Sequence, residues 1–175
     1  SFDYKFFSDK SLSNFNRLVL SNSGNDFFNT MYRTAFCHRL VDDLGMEINA
    51  QQPTVTFVNG EYWGILNLKE RYDKYYFKNT HDIDSTELDL LSNEQEVVEG
   101  DSVFYDSIIT FMNSNSLAVQ SNFDNMSTKM DMENWRDYFI SNIYIANTDW
   151  PGTNTEFWRK RTASYLPNAP YGHDG

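Results

Sequence analysis

The dipeptide Asn59-Gly60 sits between two runs of strand-forming residues, "PTVTFV" and "EYWGILNL". Both positions tolerate the positive φ that a two-residue primed turn demands, so residues 53–68 are expected to fold back as an antiparallel hairpin. The remaining elements are read around it. "FNRLVL" (15–20) alternates and is rich in branched residues, which predicts a strand. "SNSGND" (21–26) is a polar turn, and Asp26 suits an N-cap. From Phe27 to Leu44, the residues Phe28, Met31, Tyr32, Ala35, Phe36, Leu40 and Leu44 recur at helical spacing, and Gly45 stops the helix. Cys37 and His38 on it read as packing or surface residues.

"KERYDKYYF" (69–77) leaves the hairpin for a short helix. The segment 78–101 is polar and acidic, with one apolar island, "LDLL", that suits a short strand. A helix near 102–112 places Phe104, Ile108 and Met112 on one face. The Ser/Asn-rich 113–130 reads as another helix with loops. A longer helix, 132–147, is capped by Asp131 and buries Trp135, Tyr138, Phe139, Ile143 and Ala146. "TEFWRKR" is a strand, and "PNAPYGHDG" is a turn region whose Asp174-Gly175 announces another hairpin. The order predicts an α+β fold: an antiparallel sheet with one packed helix, then a mainly helical portion. Residues 1–100 form the first part and 101–175 the second, within one incomplete domain.

Composition narrows the function. The 175 residues are 40% apolar and 17% aromatic, enough for a sizeable core. Fourteen basic against 25 acidic residues give a net charge of −11, which opposes binding to nucleic acid or to an anionic membrane. It suits a basic protein partner or a cation-holding site, and equally plain solubility. Cys37 is the sole cysteine, so no internal disulfide forms. No apolar run approaches the roughly 18 residues of a membrane span. The first residues, "SFDYKFF", read as the middle of a longer chain. There is no Gly-rich phosphate loop, no G-x-S-x-G elbow, no zinc-ligand set and no EF-hand loop.

"NTDWPGTN" (147–154) carries the chemistry. Pro151 and Gly152 force a turn, so Asp149 and Asn154 should share one tight loop. Asp-x-x-x-x-Asn is the spacing of the protein-kinase catalytic loop, in which the Asp accepts the substrate hydroxyl proton and the Asn ligates magnesium. The same spacing also suits an Asx-turn that merely caps the preceding helix. Gly64, beside Trp63 and Tyr62, allows close approach of a backbone or ligand, or simple packing under the Trp. Arg17, Arg33 and Arg39, with Lys69, Glu70 and Arg71, are the charges near the presumed sheet–helix layer.

Four stretches, "NRLVLSNSGND", "TMYRTAFCHRLVDDLG", "FVNGEYWGILNLKERYD" and "NTDWPGTNTEFWR", run in order over residues 15–161, and together they resemble the spore coat protein H (CotH) kinase family. The resemblance implies an atypical protein-kinase-like fold that uses ATP and a divalent metal such as Mg²⁺. It implies a protein substrate, basic and Ser-rich, phosphorylated on serine or threonine. It also implies an extracellular, cell-surface or spore-coat location. On the same basis Asp149 corresponds to the catalytic-loop aspartate, also able to hold metal, and Asn154 to its metal-binding partner. Arg17, Arg33 and Glu70 fall in the family's N-terminal motifs and would bind the cofactor, through phosphate contacts and a supporting ion pair. In the family, a strand after a turn like "YGHDG" carries a further metal-binding Asp. The sequence stops at Gly175, so this stretch is expected to be inactive by itself. The rival reading is a non-catalytic surface or coat scaffold with the same fold. A carbohydrate-binding module rests only on aromatic abundance.

Overall fold

The computed structural model describes residues 1–93 and 95–175; Glu94, in the acidic segment, lies outside them. Among the described residues, α and β structure are mixed: three small antiparallel sheets and five α-helices. The chain forms two compact units, Ser1–Asp82 and Ile83–Gly175. The boundary therefore lies at Asp82/Ile83, where the sequence reading divided the chain at residue 100.

In the first unit, β1 (Phe2–Asp3) pairs with β2 (Asn14–Phe15), and β3 (Val19–Ser21), β4 (Gln51–Val58) and β5 (Glu61–Lys69) form a sheet with β5 central. The strand expected at 15–20 is thus split between two sheets. The turn between β4 and β5 is Asn59-Gly60, with φ of 54° and 84°, and Val58 faces Glu61 across it. The register slips after Thr56: Thr56 faces Gly64 while Phe57 faces Tyr62, leaving Trp63 as the extra residue of a bulge. Gly64 has φ of 123°, and a Cβ there would meet nothing within 4 Å. Its glycine serves the bulged backbone, and no other part of the chain packs closely against it.

The core of this unit joins Phe7, Phe15 and Ala50, with Phe6, Leu12, Leu18 and Leu68 against them. Phe7 and Phe15 meet edge to face at 5.5 Å. "SFDYKFF" was read only as mid-chain sequence, yet it supplies a central core ring. Helix α2 (Lys74–His81) buries Tyr76 and Phe77. It begins later than expected because β5 continues to Lys69 and Asp73 is the cap, its carboxylate accepting from the Tyr75 and Tyr76 N–H groups.

The long helix expected at 27–44 is only α1, Arg33–Leu40, and it has no fully buried residue. Of the anticipated packed stripe, Phe28, Tyr32, Phe36, Leu40 and Leu44 are exposed, and only Met31 and Ala35 are half-buried. The cause is polar and local. Asp26 does not start a helix at residue 27. Its buried carboxylate accepts from the Thr30 hydroxyl at 2.6 Å and from the Arg33 N–H at 3.0 Å. Met31 takes a left-handed φ of 60°, and its carbonyl accepts from Ser23 Oγ and Asn67 Nδ2, both at 2.8 Å. Residues 27–32 are therefore a hydrogen-bonded loop, and Asp26 caps α1 from seven residues upstream. The Thr30 hydroxyl and the Arg33 N–H hold the Asp26 carboxyl below the usual carboxylate range.

The second unit combines three helices with strands from both sides of residue 100. It has its own sheet: β6 (Leu88–Ser92) lies between β7 (Glu96–Glu99) and β8 (Glu156–Lys160), all antiparallel. "LDLL" is the middle strand and is wholly buried. Helices α3 (Val103–Ser114), α4 (Gln120–Met126) and α5 (Met132–Tyr144) complete the unit, and Ile108 and Met126 join the core with Ile83, Leu88, Leu90 and Leu91. Asp131 caps α5 by accepting from the Glu133 and Asn134 N–H groups. The face expected to be buried on α5 is covered only in part, at the half-buried Tyr138 and Phe139. Trp135 is 42% and Ile143 69% exposed, while Ser141 and Asn142 are buried. Apolar side chains lie on several sides of this helix. Asn142 is drawn inward by hydrogen bonds to the Tyr138 carbonyl (2.9 Å) and from Asn147 Nδ2 (2.8 Å).

One buried carboxylate on β6 ties this sheet together. Asp89 accepts from Arg159 Nε at 3.0 Å, Arg161 Nε at 2.8 Å and the Asp101 N–H at 2.9 Å. Arg159 also lies 3.8 Å from the centre of the Phe104 ring. Burial raises the Asp89 pKa, but these three donors outweigh it and leave the carboxyl below its ordinary value. Its stabilising contribution is complete above the unfolded carboxylate's pKa and is lost as the pH falls through the lower folded value. Asp89→Ala should lower stability by about 2 kcal/mol, less than for a fully buried pair because Arg161 is partly solvated. The acid limb of a stability–pH curve should flatten in that variant. Gly100 has φ of +76°, and a Cβ there would fall 2.3 Å from Asp89 Oδ1 and from the Leu88 carbonyl. Gly100→Ala should therefore destabilise by about 2 kcal/mol or more in urea unfolding; wild-type stability would contradict the packing described.

Candidate functional site

Helix α5 ends at Tyr144, and Ala146 turns the chain with a left-handed φ of 51°. Asn147 Oδ1 then accepts from the Asp149 N–H at 3.1 Å, which makes the Asx-turn. The Trp150-Pro151 bond is cis, and the Trp150 ring meets Phe139 edge to face at 4.7 Å and Tyr138 at 5.9 Å. The loop is thereby held to its own helix by an aromatic cluster. At its far end Asn154 is left-handed (φ 58°), Thr155 is buried and β8 begins at Glu156.

Asp149 and Asn154 lie on this one loop and both are exposed. Asn154 Nδ2 donates to the Asp149 carbonyl at 3.3 Å and to Thr153 Oγ1 at 3.4 Å, and the Thr153 hydroxyl donates to Asp149 Oδ1 at 3.4 Å. The Asx-turn that could have explained Asp149 is made by Asn147. Among the described residues, the Asp149 carboxylate keeps only the long Thr153 contact, and the Asn154 amide oxygen accepts no hydrogen bond. A carboxylate and an amide oxygen are hard oxygen donors, suited to Mg²⁺ or a similar divalent cation. No cluster of three or more His, Cys, Asp or Glu able to hold a metal occurs among the described residues. Such a cation would complete its shell with water and phosphate oxygens, as Mg²⁺ commonly does.

Of the N-terminal residues singled out from sequence, Arg17, Arg33, Arg39 and Glu70 are each engaged within the first unit. Arg17 pairs with buried Asp73 at 3.0 Å and lies over the Tyr75 ring. Arg33 pairs with Asp26 at 3.2 Å. Glu70 is buried, accepts from the Ala50 N–H at 2.8 Å and pairs with Lys10 at 3.3 Å. Arg17 and Glu70 line one narrow notch with Arg71, Tyr75 and Thr80; Arg33 is not part of it. Arg39 pairs with Asp9 and Asp42. Lys10 escaped the sequence reading because nothing local marks it as the counter-charge of a glutamate sixty positions away. Asn93 escaped for the same reason. It follows β6 in sequence, yet its Oδ1 accepts from the Asn154 N–H at 2.9 Å.

No curated protein and no solved structure matches the chain. The family model described as CotH kinase protein matches residues 1–175, the whole of the sequence given, and the chain therefore belongs to the CotH kinase family.

Proposed function

We propose that the chain is part of an ATP-dependent, atypical protein kinase that phosphorylates serine or threonine on a protein substrate. The observation that carries this reading is the state of Asp149. Asn147 takes over the turn, so the Asp149 carboxylate is left for chemistry on a loop anchored at both ends. In the proposed reaction the substrate hydroxyl oxygen attacks the γ-phosphorus of ATP. The bond to the β–γ bridging oxygen breaks, ADP leaves, and the hydroxyl proton passes to an Asp149 oxygen. Thr153 and the turn orient that carboxylate. Asn154, with its amide oxygen accepting no hydrogen bond and its Nδ2 tied to the Asp149 carbonyl, would hold a divalent cation together with Asp149. When bound, the cation would neutralise charge on the phosphates.

The N-terminal charges fit the same proposal. Arg17 and Arg33 keep 47% and 60% of their side-chain surface open despite their ion pairs, and would contact the nucleotide phosphates. Glu70, locked to Lys10, is the supporting ion pair. The order of strand, helix and hairpin in the first unit is compatible with a kinase-like amino-terminal portion. A net charge of −11 favours a basic substrate, and the family resemblance favours one rich in serine. Family membership favours an extracellular, cell-surface or spore-coat setting. No described helix is long and apolar enough to cross a membrane.

A second reading has one observation in its favour. Phe57, Tyr62 and Trp63 are exposed at the hairpin tip, as a non-catalytic binding domain would present them. One variant separates the two. Asp149→Asn is nearly isosteric and exposed, so its melting temperature should stay close to wild type. In the full-length parent, phosphate transfer from radiolabelled ATP to a basic Ser-rich acceptor should fall about a hundredfold or more. Undiminished transfer by Asp149→Asn would remove Asp149 from the chemistry. No transfer by the full-length wild-type parent would favour the binding domain.

A further inference from the structure

We propose that Asn93 is a positioning residue for the metal-binding end of the Asp149–Asn154 loop; the inference rests on the reading of Asn154 as a metal ligand. Two bonds carry it. Asn93 Oδ1 accepts from the Asn154 N–H at 2.9 Å, and the Asn93 N–H donates to the Thr155 carbonyl at 2.8 Å. Asn93 thus grips two consecutive residues from a point 61 positions earlier in the chain. The regular pairing of β6 and β8 ends with Ser92 opposite Glu156. The Asn93 side chain extends the ladder by one further acceptor, beyond where backbone alone reaches.

The backbone explains the residue type. Asn93 and Asn154 are both left-handed, with φ of 50° and 58°. Asparagine adopts that conformation more readily than most side chains, and its amide oxygen remains available as an acceptor. Glycine would satisfy the φ and lose the acceptor; aspartate would satisfy both. Asn154 can present its amide oxygen in a fixed direction only if its own backbone is held. Its Nδ2 is committed to the Asp149 carbonyl and Thr153 Oγ1, and its N–H is committed to Asn93. Trp150 anchors the Asp149 side of the loop on Phe139, and Asn93 anchors the opposite side. With both anchors the two oxygen donors share one rigid frame, and an outer contact of this kind typically changes metal affinity tenfold or more.

The test is an MnCl₂ titration of ¹⁵N-labelled protein, following paramagnetic broadening of the Asp149 and Asn154 amide resonances. Wild type should broaden selectively at this loop. Asn93→Gly should need about tenfold more Mn²⁺ for the same broadening, with resonances outside the loop unchanged. Asn93→Asp should restore the wild-type midpoint or tighten it. As a second measurement, the Asn154 amide should exchange with solvent slowly in wild type and in Asn93→Asp, and fast in Asn93→Gly. Equal midpoints for wild type and Asn93→Gly would overturn the role of Asn93 while leaving the metal site standing. Absence of broadening in wild type would overturn the metal reading itself, and this proposal with it.

Discussion

The second unit depends on a carboxylate in the wrong place for a carboxylate. Asp89 sits in the middle of the most apolar strand, flanked by Leu88, Leu90 and Leu91, all buried. An isolated charge there would be untenable. It is tenable because the guanidinium groups of Arg159 on β8 and of Arg161 just beyond it, with the Asp101 N–H, converge on it. The consequence is register. Arg159 lies directly opposite Asp89, and a one-residue slip would carry Arg159 away and turn its side chain to the other face. Since β8 starts two residues after Asn154, the same ion pairs that fix the strand also fix where the loop ends.

Local signals in the sequence were readable wherever the structure is made by neighbours. Asn59-Gly60 makes its turn, Asp131 caps its helix, "LDLL" is a strand, and Pro151 with Gly152 brings Asp149 and Asn154 onto one loop. What escaped is what distant residues impose. The periodicity of 27–44 is helical, but Asn67 on β5 and Asp26 capture backbone groups that a longer helix would have used, so the first turns never form. The apolar stripe of α5 was plausible, but Asn142 and Asn147 pair with each other and rotate a polar side inward. At the site, Asp149 and Asn154 could be named from spacing. Asn93 could not, because its partner is 61 residues away.

Acidic residues dominate the chain, yet several acidic side chains with structural roles are the ones best supplied with donors. Asp26, Glu70, Asp73 and Asp89 are all buried, and each has a cationic partner within 3.3 Å. Four of the few cations are spent in this way: Arg33, Lys10, Arg17 and Arg159. The excess negative charge is therefore left to the surface, where it repels other acidic macromolecules and favours basic ones.

The brevity of α1 has a further consequence. Eight residues are too few for a helix to persist in water, because the cost of nucleation is spread over too few hydrogen bonds. Its first N–H is held by Asp26, and the carbonyl of Met31, two residues before the helix, is held by a strand residue far along the sequence. This helix is thus assembled by its surroundings. A peptide excised from residues 27–44 should therefore be a coil, its helix returning only where Asp26 and β5 are in place to hold it.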